Sequence, residues 1–141
     1  MTESILWNDM RKFLPQSLDM TRHEDKYRSG IPDVSYGVNG VNGWIELKFE
    51  PRWPRDGILR YRKFKETQRV WLRARGESGG HCYILTIVGS GKQREYLLHS
   101  WRDEQLLGVV SRDELVEFSQ LCWNYSQWGD TREKLLKILT S

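Results

Sequence analysis

The chain is poor in cysteine, histidine and proline: its 141 residues include two Cys, three His and four Pro. Two cysteines make no disulfide framework, which excludes a small stapled secreted scaffold. Cys82 and Cys122 have apolar neighbours, and both are expected to be buried free thiols. His23, His81 and His99 lack the spacing of a structural zinc site. No apolar run approaches the roughly 18 residues of a membrane helix. The segment MTESILWNDMRKF has no basic stretch followed by an apolar one, so no signal peptide is expected and a cytoplasmic setting is. Net charge of one sign is also scarce: 22 Lys+Arg against 19 Asp+Glu leave +3, which excludes a polycation and a solvating acidic chain alike.

What is present is unevenly placed. Residues 52–75 carry nine basic and two acidic side chains, while every other stretch is neutral or slightly acidic. Seven tryptophans are many for this length. Trp44, Trp71 and Trp123 have apolar neighbours and read as core, whereas Trp53 lies between Pro51 and Pro54 and Trp128 sits in polar surroundings.

Periodicity gives an element order αββαββαα and an α/β (α+β) domain with a mixed sheet. A helix over 3–14, capped by Thr2, places Ile5, Leu6, Met10, Phe13 and Leu14 mostly on one face. Residues 20–28 are polar and extended. Strands at 32–38 and 43–49 flank two Asn-Gly pairs, a hairpin signal. A helix follows over 64–76, then a buried strand at 81–88 and another at 94–100. Ser111 with Glu114 forms a capping box opening a helix to about Trp123, and Asp130 with Glu133 opens a last helix to about Leu139. No repeat or linker interrupts the chain, so a single domain over 1–141 is expected, with its core at about 1–100 and a helical extension at about 110–140.

The chemistry concentrates at Asp33, Glu46 and Lys48. Side chains at i and i+2 of a strand share a face, so Glu46 and Lys48 emerge together while Ile45, Leu47 and Phe49 face the core. Asp33 opens the partner strand and reaches the same edge. Two converging carboxylates repel unless a cation lies between them. Mg²⁺, with its preference for oxygen ligands, is the natural one, and the Leu47 carbonyl is a further candidate donor. A lysine beside such a site orients water or stabilises charge developing on a phosphate.

Pro32-Asp33 followed by Glu46-Leu47-Lys48 resembles the PD-(D/E)XK nuclease superfamily. Ser29-Gly30-Ile31-Pro32-Asp33-Val34 looks like the lead-in of its VRR-NUC and Holliday-junction-resolvase-like branch, and Gln68 in KETQRVWLRARGESGG resembles the Gln opening that branch's next helix. The resemblance covers about residues 20–100. It implies a restriction-endonuclease-like core, with Asp33 and Glu46 as ligands of Mg²⁺ (Mn²⁺ substituting) and Lys48 positioning the attacking water. It also implies a further acidic ligand. Glu24, in Arg22-His23-Glu24-Asp25, resembles an R-x-E-N element and is preferred for its nearness to the hairpin; Asp25 departs from that element, and Glu3 on the first helix is the alternative. His23 is a candidate acid or base.

On this reading Arg52, Arg55, Lys63, Lys65, Gln68, Arg69 and Arg73 contact nucleic acid. Lys65, Arg69 and Arg73 share one helical side at i, i+4, which makes a basic stripe for phosphates. The implied activity is metal-dependent hydrolysis of DNA, branched or flapped, in a bacterial or phage-infected cytoplasm. Its rivals are a restriction, nicking or repair nuclease without junction preference and a non-catalytic nucleic-acid-binding module. Resolvase-like relatives act as homodimers, and the C-terminal apolar faces (Leu115, Phe118, Leu121, Cys122; Leu135, Leu136, Leu139) either form such an interface or cover the domain's own sheet.

Overall fold

Asn39 and Gly40 both take positive φ, 50° and 79°, and close a two-residue hairpin between β2 (Val34–Val38) and β3 (Val41–Glu50). The second Asn-Gly pair lies within β3. Gly43 is required there because a Cβ would meet the Tyr36 ring at 2.3 Å. The computed structural model describes residues 3–24 and 30–141. Thr2, the lead-in Ser29, Asp25 and the rest of 25–29 fall outside the described residues, as does the Glu3 side chain.

Among the described residues six strands form one sheet in sequence order; β3 and β4 pair in parallel and the other neighbours antiparallel. A parallel pair needs a crossover, and α2 (Glu66–Glu77) provides it before β4 (His81–Val88). Then β5 (Glu95–Ser100) returns antiparallel to β4. The expected mixed α/β fold is therefore present, with two strands that the pattern did not announce. In β1 (Asp19–Arg22), a polar edge strand pairs with β2 over part of the stretch read only as extended. In β6 (Leu121–Asn124), residues expected to be helical pair with β5 instead. The helix α3 stops at Phe118 (Arg112–Phe118), and the Gln120 amide then bonds the Leu98 carbonyl 2.8 Å away. The last helix, α4, runs Trp128–Leu139 with Gln127 at its cap in place of Asp130.

The sheet divides the core in two. On one face α1 (Glu3–Phe13) and α4 pack Leu6, Met10, Leu135 and Leu139 against Ile45, Leu47 and Leu85. On the other, α2, α3 and the 50–64 loop bring Leu59, Phe64, Leu72 and Leu115 onto Ile84 and Leu97. The C-terminal helices thus spend most of their apolar residues covering this domain's own sheet; Phe118 remains 44% exposed. Two further expectations are corrected. Cys122 is exposed, because strand alternation turns it away from the neighbouring buried Trp123. Trp128 is fully buried against Tyr96 and Trp123.

His99 is fully buried, with Nε2 2.8 Å from the Leu115 carbonyl and Nδ1 unpartnered. Burial lowers its pKa, partly opposed by that carbonyl. The unfolded chain then binds a proton that the folded chain refuses, so this group's contribution to stability falls as pH drops through about 6.5. Buried carboxyls with raised pKa work in the opposite sense, so the readout is a difference: the urea midpoint of the wild type is expected to fall relative to that of His99→Gln between pH 8 and 5.

Candidate active site

Along β3, Trp44, Glu46, Lys48 and Glu50 share the face that α2 covers, while Ile45 and Leu47 enter the opposite core. Asp33 lies one step beyond the Val34–Ile45 pair, opposite Glu46. The backbone fixes both carboxylates. Asp33 Oδ2 accepts from the Leu47 amide at 2.8 Å, and Glu46 Oε1 accepts from the Asp33 amide at 3.2 Å. The loop entering Asp33 rests on α2: Gly30 (φ 91°) packs so closely that a Cβ would sit 2.3 Å from the Thr67 carbonyl oxygen.

Lys48 is held from three sides. Its Nζ lies 3.0 Å from Glu46 Oε2 and donates to the Lys63 carbonyl at 2.9 Å and Gln68 Oε1 at 3.0 Å. The same Gln68 oxygen accepts from the Lys65 amide at 2.8 Å, so the helix start and the ammonium are tied by one atom. The Phe64 ring lies 5.0 Å from Nζ and adds a cation–π contact.

Glu46 is 1% exposed. Burial foremost, then the Asp33 charge, push its pKa up to about 8 against the opposing pull of Lys48. Its Oε2 has no aligned hydrogen-bond donor although Lys48 is close. A buried carboxylate oxygen of this kind beside a second carboxylate suits a hard divalent cation such as Mg²⁺. The residues fit that metal: Asp33 and Glu46 would hold it. The proton balance is testable. A carboxyl protonated at neutral pH must lose its proton to bind a cation. Mg²⁺ titrations in buffers of different ionisation enthalpy are expected to show proton release at pH 7 that vanishes by about pH 9.5.

The other sequence candidates distribute differently. Glu24 is 76% exposed and lies 3.8 Å from Arg22, turned to solvent. Among the described residues no group of three His, Cys, Asp or Glu converges on a point. The backbone of Glu3 adjoins this end of the sheet, since Arg22 donates to Ser4 Oγ at 3.1 Å. His23 sits at the site's margin; its amide bonds the Asp33 carbonyl and its Nε2 lies 2.8 Å from Ser35 Oγ. Arg52, Arg55, Lys63 and Lys65 are exposed. Arg69 and Arg73 do share a helical side, but that side points inward: they bind the buried Glu104 at 3.3 and 2.9 Å, and Arg69 also donates to the Leu107 carbonyl. The stripe read from spacing therefore works as a clamp between α2 and the 3₁₀ segment Trp101–Leu106.

One residue of the site escaped the sequence reading. Glu50 continues the Glu46–Lys48 alternation on the same face, is buried, and lies 3.6 Å from Arg62 Nε. Burial raises its pKa, with Arg62 opposing. The period-2 spacing was the available signal.

No protein-family model matches the chain, and neither does any curated protein. Among solved structures, the chain is similar to a Holliday junction resolvase from the archaeal hyperthermophile Archaeoglobus fulgidus. The TM-score is 0.50 at 15% identity, over 94% of this chain and 96% of that one. The likeness is one of fold: a restriction-endonuclease-like mixed sheet flanked by helices.

Proposed function

We propose that the chain is a divalent-metal-dependent endodeoxyribonuclease selective for branched DNA, four-way junctions foremost, in the VRR-NUC/Holliday-junction-resolvase-like branch of the PD-(D/E)XK superfamily. The observation that carries this is the convergence of Asp33, Glu46 and Lys48, with both carboxylates pinned to each other's backbone and the ammonium at Glu46. The fold shared with a junction resolvase supports the substrate class, and the contact of Gln68 with Lys48 supports the branch.

A cation held by Asp33 and Glu46 would supply Lewis-acid charge and a more acidic water. The protein's own groups do the positioning. Lys48, fixed by Gln68 and the Lys63 carbonyl, is placed to donate to a water beside the phosphate and to stabilise charge on the phosphoryl oxygens. The exposed Arg52, Arg55, Lys63 and Lys65 hold the flanking backbone, which gives affinity without sequence preference. Arg69 and Arg73 are committed to Glu104 and are left out of that set. Cutting two opposed strands requires two sites, hence a homodimer on the substrate.

The test is a panel of four-way junction, flap, duplex and single strand with Mg²⁺ or Mn²⁺. Cleavage of the junction at least tenfold faster than the duplex is expected; equal rates would leave a nuclease without junction preference. Arg52→Ala with Arg55→Ala is expected to weaken all DNA binding about equally and to flatten the salt dependence by about two phosphate contacts. An unchanged slope removes that loop from the DNA path.

A further inference from the structure

The covered face of β3 continues past Glu46 to Trp44, two residues or about 7 Å along the strand. Trp44 packs edge-on against Trp71 of α2, with ring centroids 5.1 Å apart. His23 lies on the other side of Trp44, 5.5 Å away. Both indoles are only partly buried. Arg75 lies over both, its guanidinium carbon 4.6 Å from the Trp71 ring centre and 5.4 Å from that of Trp44.

Two features set this group apart from ordinary core packing. First, the arginines of α2 divide sharply. Arg69 and Arg73 are neutralised by Glu104 and Glu66, whereas Arg75 is exposed and has no carboxylate partner among the described residues. A cation with no carboxylate partner among the described residues, lying on two aromatic rings, is complementary to a nucleotide, which brings a π-face and a negative backbone together. Second, Trp71 and Arg75 open into a groove of about 460 Å³ along α2, lined also by Glu66, Thr67, Val70, Ala74 and Ser78; the Glu66 carboxylate there is paired with Arg73 at 3.1 Å. Val70 there is 48% exposed. The groove begins at the helix turn that carries Gln68, whose side chain touches Lys48, so it adjoins the carboxylate site.

We propose that Trp44, Trp71 and Arg75 form a stacking ledge for an unpaired nucleobase of the DNA strand whose phosphate lies at Asp33 and Glu46. This rests on the nuclease reading and adds to it a means of selecting branched DNA. A paired base is held in its helix stack, whereas a base at a junction or flap is free to lie on the ledge. Aromatic stacking is indifferent to base identity, so the ledge selects structure over sequence.

The test uses the full chain in EDTA, with oligonucleotides carrying 2-aminopurine at the branch point or within a plain duplex. Binding to the branched substrate is expected to quench the probe, with no change in the duplex. Trp71→Ala is expected to weaken branched-DNA binding about tenfold and abolish the extra quenching, with duplex affinity changed less than twofold. Trp71→Phe is expected to stay within about threefold of wild type, and Arg75→Ala to fall between. Duplex affinity serves as the control for folding. Equal losses on branched and paired DNA would overturn the ledge, as would unchanged quenching in Trp71→Ala. If the wild type cuts junctions and Trp71→Ala binds them as tightly, the ledge fails and the nuclease reading stands. If the wild type binds no DNA, both fail. A dimer that Val70→Glu dissociates, with no quenching change, would assign the groove to a second copy of the chain and overturn the proposal.

Discussion

Glu46→Gln is expected to reduce DNA cleavage by about 10³-fold or more while leaving the metal-free fold at pH 7 nearly as stable as wild type. The two halves have one cause. Glu46 is buried beside Asp33 and its carboxyl titrates near pH 8, so at pH 7 the metal-free protein holds it largely neutral. Glutamine is close to isosteric with that neutral form and keeps an oxygen for the Asp33 amide; its NH2 then faces the Lys48 ammonium at the Oε2 position, a donor–donor contact that costs about 1 kcal/mol. What it lacks is the charge that the proposed divalent cation would require, and without that cation several kcal/mol of transition-state stabilisation would be lost. Single-turnover cleavage and thermal melting with and without Mg²⁺ separate the effects. A variant that cuts within tenfold of wild type would remove Glu46 from the metal site. A melting temperature depressed by 10 °C without metal would mean that the carboxylate, rather than the acid, is the stable resting form.

Glu104→Ala is expected to cost about 3 kcal/mol, roughly 10 °C in Tm. Glu104 is 1% exposed and takes one arginine on each carboxylate oxygen. Removing it strands Arg69, whose head is also close over Phe64, in a nearly closed site. Arg73 has Glu66 at 3.1 Å as a second partner and is more exposed, which holds the cost to the lower end of the buried-pair range. Because α2 also positions Gln68 against Lys48, a second consequence is a drop in cleavage at temperatures well below unfolding. A cost under 1 kcal/mol by urea denaturation would show that the clamp is incidental and would return Arg69 and Arg73 to the DNA-facing surface.

The difference between these residues and Asp33, Glu46 and Lys48 explains what could be read from sequence. Asp33, Glu46 and Lys48 were legible because strand alternation is local: Glu46 and Lys48 must share a face, and an Asn-Gly turn brings Asp33 opposite. The spacing of Arg69 and Arg73 is just as local, and it placed them correctly on one side of α2. Which way that side points depends on Glu104, more than thirty residues downstream, and no pattern in the sequence marks Glu104 as buried. The strands follow the same division. The run His81–Val88 announces itself by composition. Asp19–Arg22 carries no apolar alternation and becomes a strand through pairing with β2. Leu121–Asn124 continues the helical spacing of Leu115 and Phe118, yet its pairing with β5 outweighs that propensity. Glu24 and the basic 52–65 loop remain candidates on exposure and position.

The most direct measurement of the central claim is single-turnover cleavage of an end-labelled four-way junction by the full chain, run in Mg²⁺, in EDTA, and in Mg²⁺ with Asp33→Asn. The account predicts discrete cuts in the first case and none in the other two, with junction binding retained throughout. Cleavage by Asp33→Asn at the wild-type rate, or no cleavage by the wild type in either Mg²⁺ or Mn²⁺, would contradict it.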